Sequence, residues 1–191
     1  MHKLWQKKKM EAEALKNKPR GSPARLRLQK ELSELDTSEE FEVKPSDDLM
    51  HFTLVYRPPA GHYHGGEFKF TFDVSENYPH EPPKVLLCEQ TIFHPNIDTE
   101  GHICLNVLRE DWKPVLNIQS VIFGLQLLFL EPNADDPLNK DAAAMMVKDH
   151  AEFVRTVKSS MQGHRVNGID YTRVIIASSQ HSGHYSPDSY Y

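Results

Sequence analysis

The chain is poor in cysteine. Its 191 residues include two, Cys88 and Cys104, and they form no Cys-x-x-Cys pair or Cys/His cluster of the kind that binds zinc. Secreted domains that depend on disulfides carry many more cysteines, so a disulfide scaffold is excluded. We therefore expect a protein of a reducing compartment, cytoplasmic and nuclear, without a metal site.

Long hydrophobic runs are also absent. The longest candidate, residues 121–130, is interrupted by Gly124 and Gln126. It is much shorter than the roughly 20 apolar residues that a membrane-spanning helix needs. The opening residues lead from Met1 into lysines rather than into an apolar segment, which is not the pattern of a secretory signal peptide. We expect no association with a membrane.

Charge is distributed unevenly. Residues 1–30 contain ten lysines and arginines against two glutamates, whereas the whole chain has a net charge of −5. A basic arm on an acidic body can bind an acidic partner, but it can equally be a solvated tail. Nucleic acid is disfavoured as a partner, because the arm lacks interleaved aromatic residues and no recognition motif follows it.

The periodicity of the apolar residues predicts an α+β domain. Ser22 and Pro23 supply a helix cap and a first-turn proline for an N-terminal helix. Alternating apolar and polar residues then predict strands, most clearly over residues 68–74, and an antiparallel meander is the economical arrangement. Helical patterns return after residue 115.

These patterns also set the predicted domain boundaries. Residues 1–21 are rich in lysine and are predicted to be a flexible basic arm. One folded domain is predicted to cover residues 22–163. Residues 164–191 are polar, rich in Ser, His and Tyr, and without a clear period, so a loose C-terminal tail is expected.

Periodicity disappears between residues 90 and 115. A structureless stretch this long inside a compact domain is uncommon and tends to carry function. Cys104 lies within it, and a loop cysteine suits reversible acyl transfer because thiolates are strong nucleophiles and good leaving groups. A small buried side chain without chemistry is nevertheless the commoner role of a free cysteine. Cys88, inside an apolar strand, fits that second description.

Nearby polar residues could assist Cys104. The amide of Asn96 could stabilise an oxyanion, which contributes roughly 3–4 kcal/mol in well-aimed sites, or it could hold the loop as an Asx turn. His94 precedes a proline, and its ring either fastens the loop or acts as the general base of a cysteine hydrolase. Asp135 or Asp136 could orient an incoming amine or could simply cap a turn. The residues alone leave these alternatives open.

The chain resembles the ubiquitin-conjugating enzyme (UBC) family over residues 24–162. Five motifs carry the resemblance in the order and spacing typical of the family. They are Tyr78-Pro79-His80-Glu81-Pro82-Pro83-Lys84, His94-Pro95-Asn96, Gly101-His102-Ile103-Cys104-Leu105, Trp112-Lys113-Pro114 and Pro132-Asn133-Ala134-Asp135-Asp136-Pro137-Leu138. The resemblance implies the UBC fold: an N-terminal helix, a four-stranded antiparallel meander, a long active-site loop and C-terminal helices.

The chain resembles in particular the branch that conjugates the Nedd-type (Rub-type) modifier. The similarity lies in residues 104–116, 128–133 and 136–140, and in a basic arm that begins Met-x-Lys-Leu-aromatic. It implies an enzyme that accepts the activated modifier as a thioester on Cys104 and transfers it to a substrate lysine. The implied substrates are cullins, with a RING-type ligase. Use of ubiquitin itself, or a non-catalytic binding variant, is the alternative.

The resemblance also implies roles for individual residues. Cys104 becomes the thioester acceptor, Asn96 the oxyanion-stabilising or loop-stabilising amide, and Asp136 the carboxylate that assists the incoming lysine. No cofactor is implied, because ATP is consumed by the activating enzyme, and the chain has no glycine-rich phosphate loop. The remaining assignments are His94 and Pro95 as structural residues of the loop, Met1, Leu4 and Trp5 as docking residues for the activating enzyme, and His80 and Pro114 as docking residues for the ligase.

Overall fold

The computed structural model of the protein describes residues 21–35 and 38–176. The first helix, α1 (Pro23–Ser33), begins where the sequence predicts. The Ser22 side chain accepts a hydrogen bond from the backbone N–H of Arg25, and a proline at the start of the helix has no N–H to leave unpaired. Leu28 is fully buried and fixes α1 to the core.

Four strands follow α1 as an antiparallel meander, which confirms the predicted sheet. The register places Phe70 opposite Leu54 on one side and opposite Leu87 on the other. Side chains alternate between the two faces of a strand, so Phe68, Phe70 and Phe72 all enter the core. In sheet order the strands are β1 (Phe41–Pro45), β2 (His51–Tyr56), β3 (Phe68–Asp73) and β4 (Lys84–Leu87).

Helices cover the inner face of the sheet. Phe129 in α2 (Ile118–Leu130) lies at the centre of the core, where its ring contacts four aromatic rings of the sheet and its flanking loop at centroid distances between 4.7 and 5.9 Å. No helix in the described ranges has the length and apolar character that crossing a bilayer requires. The elements after the sheet are a 3₁₀ turn (Asn106–Leu108), α2 (Ile118–Leu130), α3 (Lys140–Lys148) and α4 (His150–Met161).

The structure differs from the expected loose tail over residues 165–176. A hairpin of β5 (Arg165–Val166) and β6 (Ile169–Asp170) turns through Asn167-Gly168. Both turn residues have positive φ, 49° and 82°, as an Asn-Gly hairpin turn of type I′ requires. That hairpin signal is present in the polar sequence and was missed.

The segment after the hairpin belongs to the domain as well. Backbone hydrogen bonds join Thr172 to Thr91 (2.9 Å) and Glu67 to Val174 (2.9 Å), and the side chains of Tyr171 and Val174 are buried. The domain therefore continues to at least residue 176. Residues 177–191 and residues 1–20 of the predicted arm lie outside the described residues.

Candidate active site

The loop that carries Cys104 is ordered by backbone pairing. The N–H of Cys104 donates to the carbonyl of Asn96 at 2.8 Å, and isolated bridges join Ile97 to Ile103 and Leu86 to His102. The second bridge fastens the loop to β4. The 90–115 stretch is therefore a folded platform, although its sequence shows no period.

Asp98 and Gly101 make the tight turn of this platform possible. One carboxylate oxygen of Asp98 accepts hydrogen bonds from the backbone N–H groups of Glu100 and His102, both at 2.9 Å. Gly101 has a φ of 88°, and a Cβ added there would lie 2.1 Å from the carbonyl oxygen of Leu87. No other residue fits this position without moving the backbone of β4.

Cys104 is 9% exposed, and its Sγ lies 3.4 Å from Oδ2 of Asp136. Burial raises the pKa of the Cys104 thiol, and the hydrogen bond to Asp136 raises it further because the bond stabilises the protonated form. The positive charge of Arg109, whose guanidinium donates to the carbonyl of Ile103 at 3.4 Å, acts in the opposite direction. The resting cysteine is a neutral thiol at physiological pH, directed at a carboxylate.

Asn96 connects the Cys104 loop to the segment between α2 and α3. Its Nδ2 donates to the backbone carbonyl of Asn133 at 2.8 Å, and its Oδ1 accepts from the backbone N–H of the same residue at 2.9 Å. The backbone groups of Asn133 thus fix the orientation of the amide. This is the geometry of the loop-stabilising alternative, and the oxyanion role stays a prediction.

His94 is fully buried, with both ring nitrogens engaged. Nδ1 accepts from the backbone N–H of Asn96 at 3.0 Å, so the proton resides on Nε2, which donates to the carbonyl of Leu128 at 3.1 Å. Burial lowers the pKa of His94 to about 3. A ring held in this way cannot serve Cys104 as a general base. The ring instead holds the backbone of its own loop and the end of α2. The carbonyl of the neighbouring Pro95 accepts a hydrogen bond from the backbone N–H of Asn139 at 2.9 Å.

Of the two candidate aspartates, the structure brings Asp136 to the thiol. Asp135 is exposed, and its backbone N–H donates to the side chain of Asn133. His102, the other histidine near the cysteine, has its Nδ1 2.9 Å from Asp98. Within the described residues no group of three or more His, Cys, Asp and Glu side chains is arranged to hold a metal ion.

The predicted ligase-docking residues lie on two loops that are joined to each other. His80 and Pro114 are both exposed. The indole N–H of Trp112 donates to the carbonyl of Pro79 at 2.8 Å, which ties the two loops together. Met1, Leu4 and Trp5, assigned to the activating enzyme, lie outside the described residues.

A cavity of about 380 Å³ opens beside Cys104, between the segment after the cysteine and α2. Phe123 lines it and is 57% exposed, and Leu127, one helical turn further along α2, is 43% exposed. Sequence reasoning missed both residues, because it considered only the buried stripe of α2. The sequence did contain a signal for them, because two large apolar residues four positions apart share a helix face, and these two lie outside the buried stripe.

Comparisons with known proteins agree with this geometry. The chain matches the family model for ubiquitin-conjugating enzymes over residues 27–161. It is 53% identical over 179 residues to the NEDD8-conjugating enzyme UBC12 of Yarrowia lipolytica, covering 92% of this chain and 99% of the relative. The NEDD8-conjugating enzyme ubc12 of Schizosaccharomyces pombe is 48% identical with the same coverage. The solved structure of S. cerevisiae Ubc12 superposes with a TM-score of 0.78 at 40% identity, covering 92% of this chain and 98% of that one.

Proposed function

Because the chain belongs to the ubiquitin-conjugating enzyme family, we propose that it carries a Nedd-type modifier as a thioester on Cys104 and passes it to a lysine amine. The observation that carries this proposal is the Cys104 thiol at the mouth of a cavity, with Asp136 at 3.4 Å. The choice of modifier is supported by relatives that are named NEDD8-conjugating enzymes.

The first transfer loads Cys104. Its sulfur attacks the thioester that joins the C-terminal glycine of the modifier to the activating enzyme, a new C–S bond forms, and the thiolate of the activating enzyme leaves. The thiol of Cys104 must lose its proton in this step, because the thiolate is the nucleophile. Asp136 already accepts a hydrogen bond from that thiol, so its carboxylate is positioned to receive the proton.

The second transfer uses the same carboxylate in a different way. An acylated Cys104 has no S–H to donate, so Asp136 is free to accept a hydrogen bond from the incoming lysine. Asp136 is an exposed residue, so an amine can approach it from solvent. The neutral amine attacks the thioester carbonyl, the C–S bond to Cys104 breaks, and the proton lost by the nitrogen passes through the carboxylate to the departing thiolate, which regenerates the thiol.

The thioester must survive water before the lysine arrives. A cysteine hydrolase would place a histidine base against the sulfur. Here His94 is buried and neutral, and His102 is hydrogen-bonded to Asp98. Among the residues that the structure describes, the site has a carboxylate for a bound amine and no histidine directed at the thiol, which favours transfer over hydrolysis.

The partners follow from the same proposal. The modifier and its activating enzyme are required for loading, a RING-type ligase docks on the joined loops of His80 and Pro114, and cullins supply the lysine. Met1, Leu4 and Trp5 of the basic arm anchor the activating enzyme. The exposure of His80 and Pro114 supports the ligase surface. The cytoplasm and nucleus are the proposed location.

A loading assay tests the proposal. The protein is mixed with ATP, NEDD8 and the NEDD8-activating enzyme, and separately with ubiquitin and its activating enzyme, and then run on a non-reducing gel. We expect a thiol-sensitive adduct with the NEDD8 set. It should persist in Cys88→Ala and disappear in Cys104→Ala. An adduct with ubiquitin alone would overturn the choice of modifier, and no adduct with either set would overturn the carrier role.

A further inference from the structure

Gly124 lies in the interior of α2, as the seventh of its thirteen residues. Among residues other than proline, glycine is the least favourable in a helix interior, because it loses the most backbone freedom on folding. Nothing in the backbone of a continuous helix requires glycine at this position. Its presence therefore points to a constraint from what packs against it.

That constraint comes from the segment that follows Cys104. A Cβ added to Gly124 would lie 3.1 and 3.2 Å from the two terminal carbons of Leu105, and 3.2 Å from Cγ1 of Val107. Favourable contacts between carbon atoms lie at about 3.5–4.0 Å. Leu105 and Val107 thus fill the space that a side chain at Gly124 would occupy.

We propose that Gly124 is a positioning residue, which seats the 105–107 segment against α2 and thereby sets the distance between Cys104 and Asp136. On one side, the backbone N–H of Cys104 donates a hydrogen bond to the carbonyl of Asn96 at 2.8 Å. On its other side the support is the packing of Leu105 and Val107 on α2. Asp136 belongs to a different segment, which is held through Asn96 and Asn133. A displacement of residues 105–107 therefore moves the sulfur relative to the carboxylate.

Gly124→Ala tests this assignment with two readouts. We expect the turnover number for loading Cys104 to fall about tenfold, as for other small misplacements of a reacting group, while the KM for the loaded activating enzyme changes less than twofold. The alkylation of Cys104 by iodoacetamide, followed by peptide mass spectrometry, should shift to lower pH. The shift is expected because a lost contact with Asp136 no longer stabilises the protonated thiol.

Control variants distinguish a displacement of Cys104 from a general loss of stability. Gln119→Ala, on the exposed face of α2, should leave both readouts unchanged. Adding Leu105→Val and Val107→Ala to Gly124→Ala removes the crowded atoms and should restore loading. If Gly124→Ala folds poorly, Val107→Ile adds a carbon at the Cγ1 that faces Gly124, crowds the same contact from the opposite side, and should shift the alkylation profile in the same direction.

The outcomes also distinguish this inference from the proposed function on which its kinetic part rests. Wild-type loading together with an unchanged alkylation profile in Gly124→Ala would overturn the inference. If the wild-type protein itself does not load, the proposed function fails. The alkylation profile still tests Gly124 in that case, because it needs neither modifier nor activating enzyme.

Discussion

Asn96 bridges two segments that lie 37 residues apart in the chain, and it is 2% exposed. The backbone of Asn133 offers it one carbonyl and one N–H. A carboxylate could accept but not donate, and an alanine could do neither, so an amide is the side chain that satisfies both groups. The bridge holds the loop of Asp136 beside the loop of Cys104.

Replacing Asn96 with alanine should therefore loosen the site. We expect the free energy of unfolding to fall by about 1–2 kcal/mol, since two hydrogen bonds to a partly exposed backbone are lost. Urea unfolding measures this change, with Asn77→Ala at an exposed position as the control. A variant as stable as the wild type that loads Cys104 but no longer transfers to lysine would instead favour the oxyanion role.

The buried ring of His94 makes stability depend on pH. In the folded protein its pKa is about 3, whereas an unfolded chain binds the proton below its ordinary pKa of about 6.5. The contribution of neutral His94 to the free energy of unfolding is therefore fully present above about pH 6.5, and it is lost as the pH falls towards 3. Between pH 6.5 and 4.5 the loss is about 2–3 kcal/mol for this one group.

Urea unfolding at pH 7 and 4.5 measures that loss. His94→Gln should be less stable at pH 7, because it disturbs two buried hydrogen bonds, but its stability should change less between the two pH values. His64→Gln, at an exposed position, should keep the wild-type difference. An identical pH dependence in His94→Gln and the wild type would contradict the assignment.

At the scale of single residues, the sequence predicted which residues take part in the site better than it predicted how their side chains are arranged. Cys104 and its loop were identified from residue types, but only the family resemblance separated Asp136 from Asp135, and in the structure it is Asp136 that lies at the thiol. The two alternatives for Asn96 likewise differ only in where the amide points. Such choices depend on contacts across 32 or 37 residues, which local patterns do not contain.

At the scale of secondary-structure elements, Glu31 joins α1 to α2. Its carboxylate accepts hydrogen bonds from the guanidinium of Arg27 at 2.7 Å, from the hydroxyl of Tyr78, and from the backbone N–H of Ile118 at 3.0 Å. Ile118 is the first residue of α2, where a negative charge is favourable because of the helix dipole. One side chain thus connects both helices and the loop that leads to His80.

Glu31→Ala should lower the free energy of unfolding by about 2–4 kcal/mol, because three donors lose a largely buried charged partner. Thermal or urea unfolding measures the change. Glu34→Ala is the matched control, since the side chain of Glu34 is 63% exposed and pairs with Lys30 at 3.8 Å. We expect less than about 0.5 kcal/mol there. Equal losses in the two variants would contradict the role of Glu31.

Elements with a clear period were predicted correctly, including α1 and strands β2, β3 and β4, whereas β1 was implied only by the family resemblance. The folded platform around Cys104 was not, because it depends on isolated bridges such as Leu86 to His102 rather than on a repeating pattern. The small hairpin was missed for another reason. Its Asn167-Gly168 signal lies in a polar context with only two residues in each strand.

For the whole molecule, the end of the domain is the main difference between sequence and structure. The α+β class and the four-stranded sheet are confirmed, and they lie within the family match over residues 27–161. Tyr171 and Val174 fall beyond it. A single pair of apolar residues three apart in a polar segment does not establish a helical or a strand period, so their place in the core could not be predicted.

Truncation tests the domain boundary. A chain that ends at Gly163 loses the burial of Tyr171 and Val174, each worth about 1.5–3 kcal/mol, and should unfold at a clearly lower urea concentration. A chain that ends at Ile176 keeps both side chains and should unfold at a clearly higher urea concentration than the chain that ends at Gly163. Equal stability of all three chains would mean that the C-terminal segment contributes nothing to the core.

The packing of Tyr171 on Phe93, with ring centroids 6.0 Å apart, also bears on biosynthesis. A ribosome makes the chain from its N-terminus, so Phe93 emerges long before the ring that covers it. Until translation has passed Val174, the nascent chain exposes an apolar face that chaperones bind. The native core is therefore completed only after nearly all of the described chain has been synthesised.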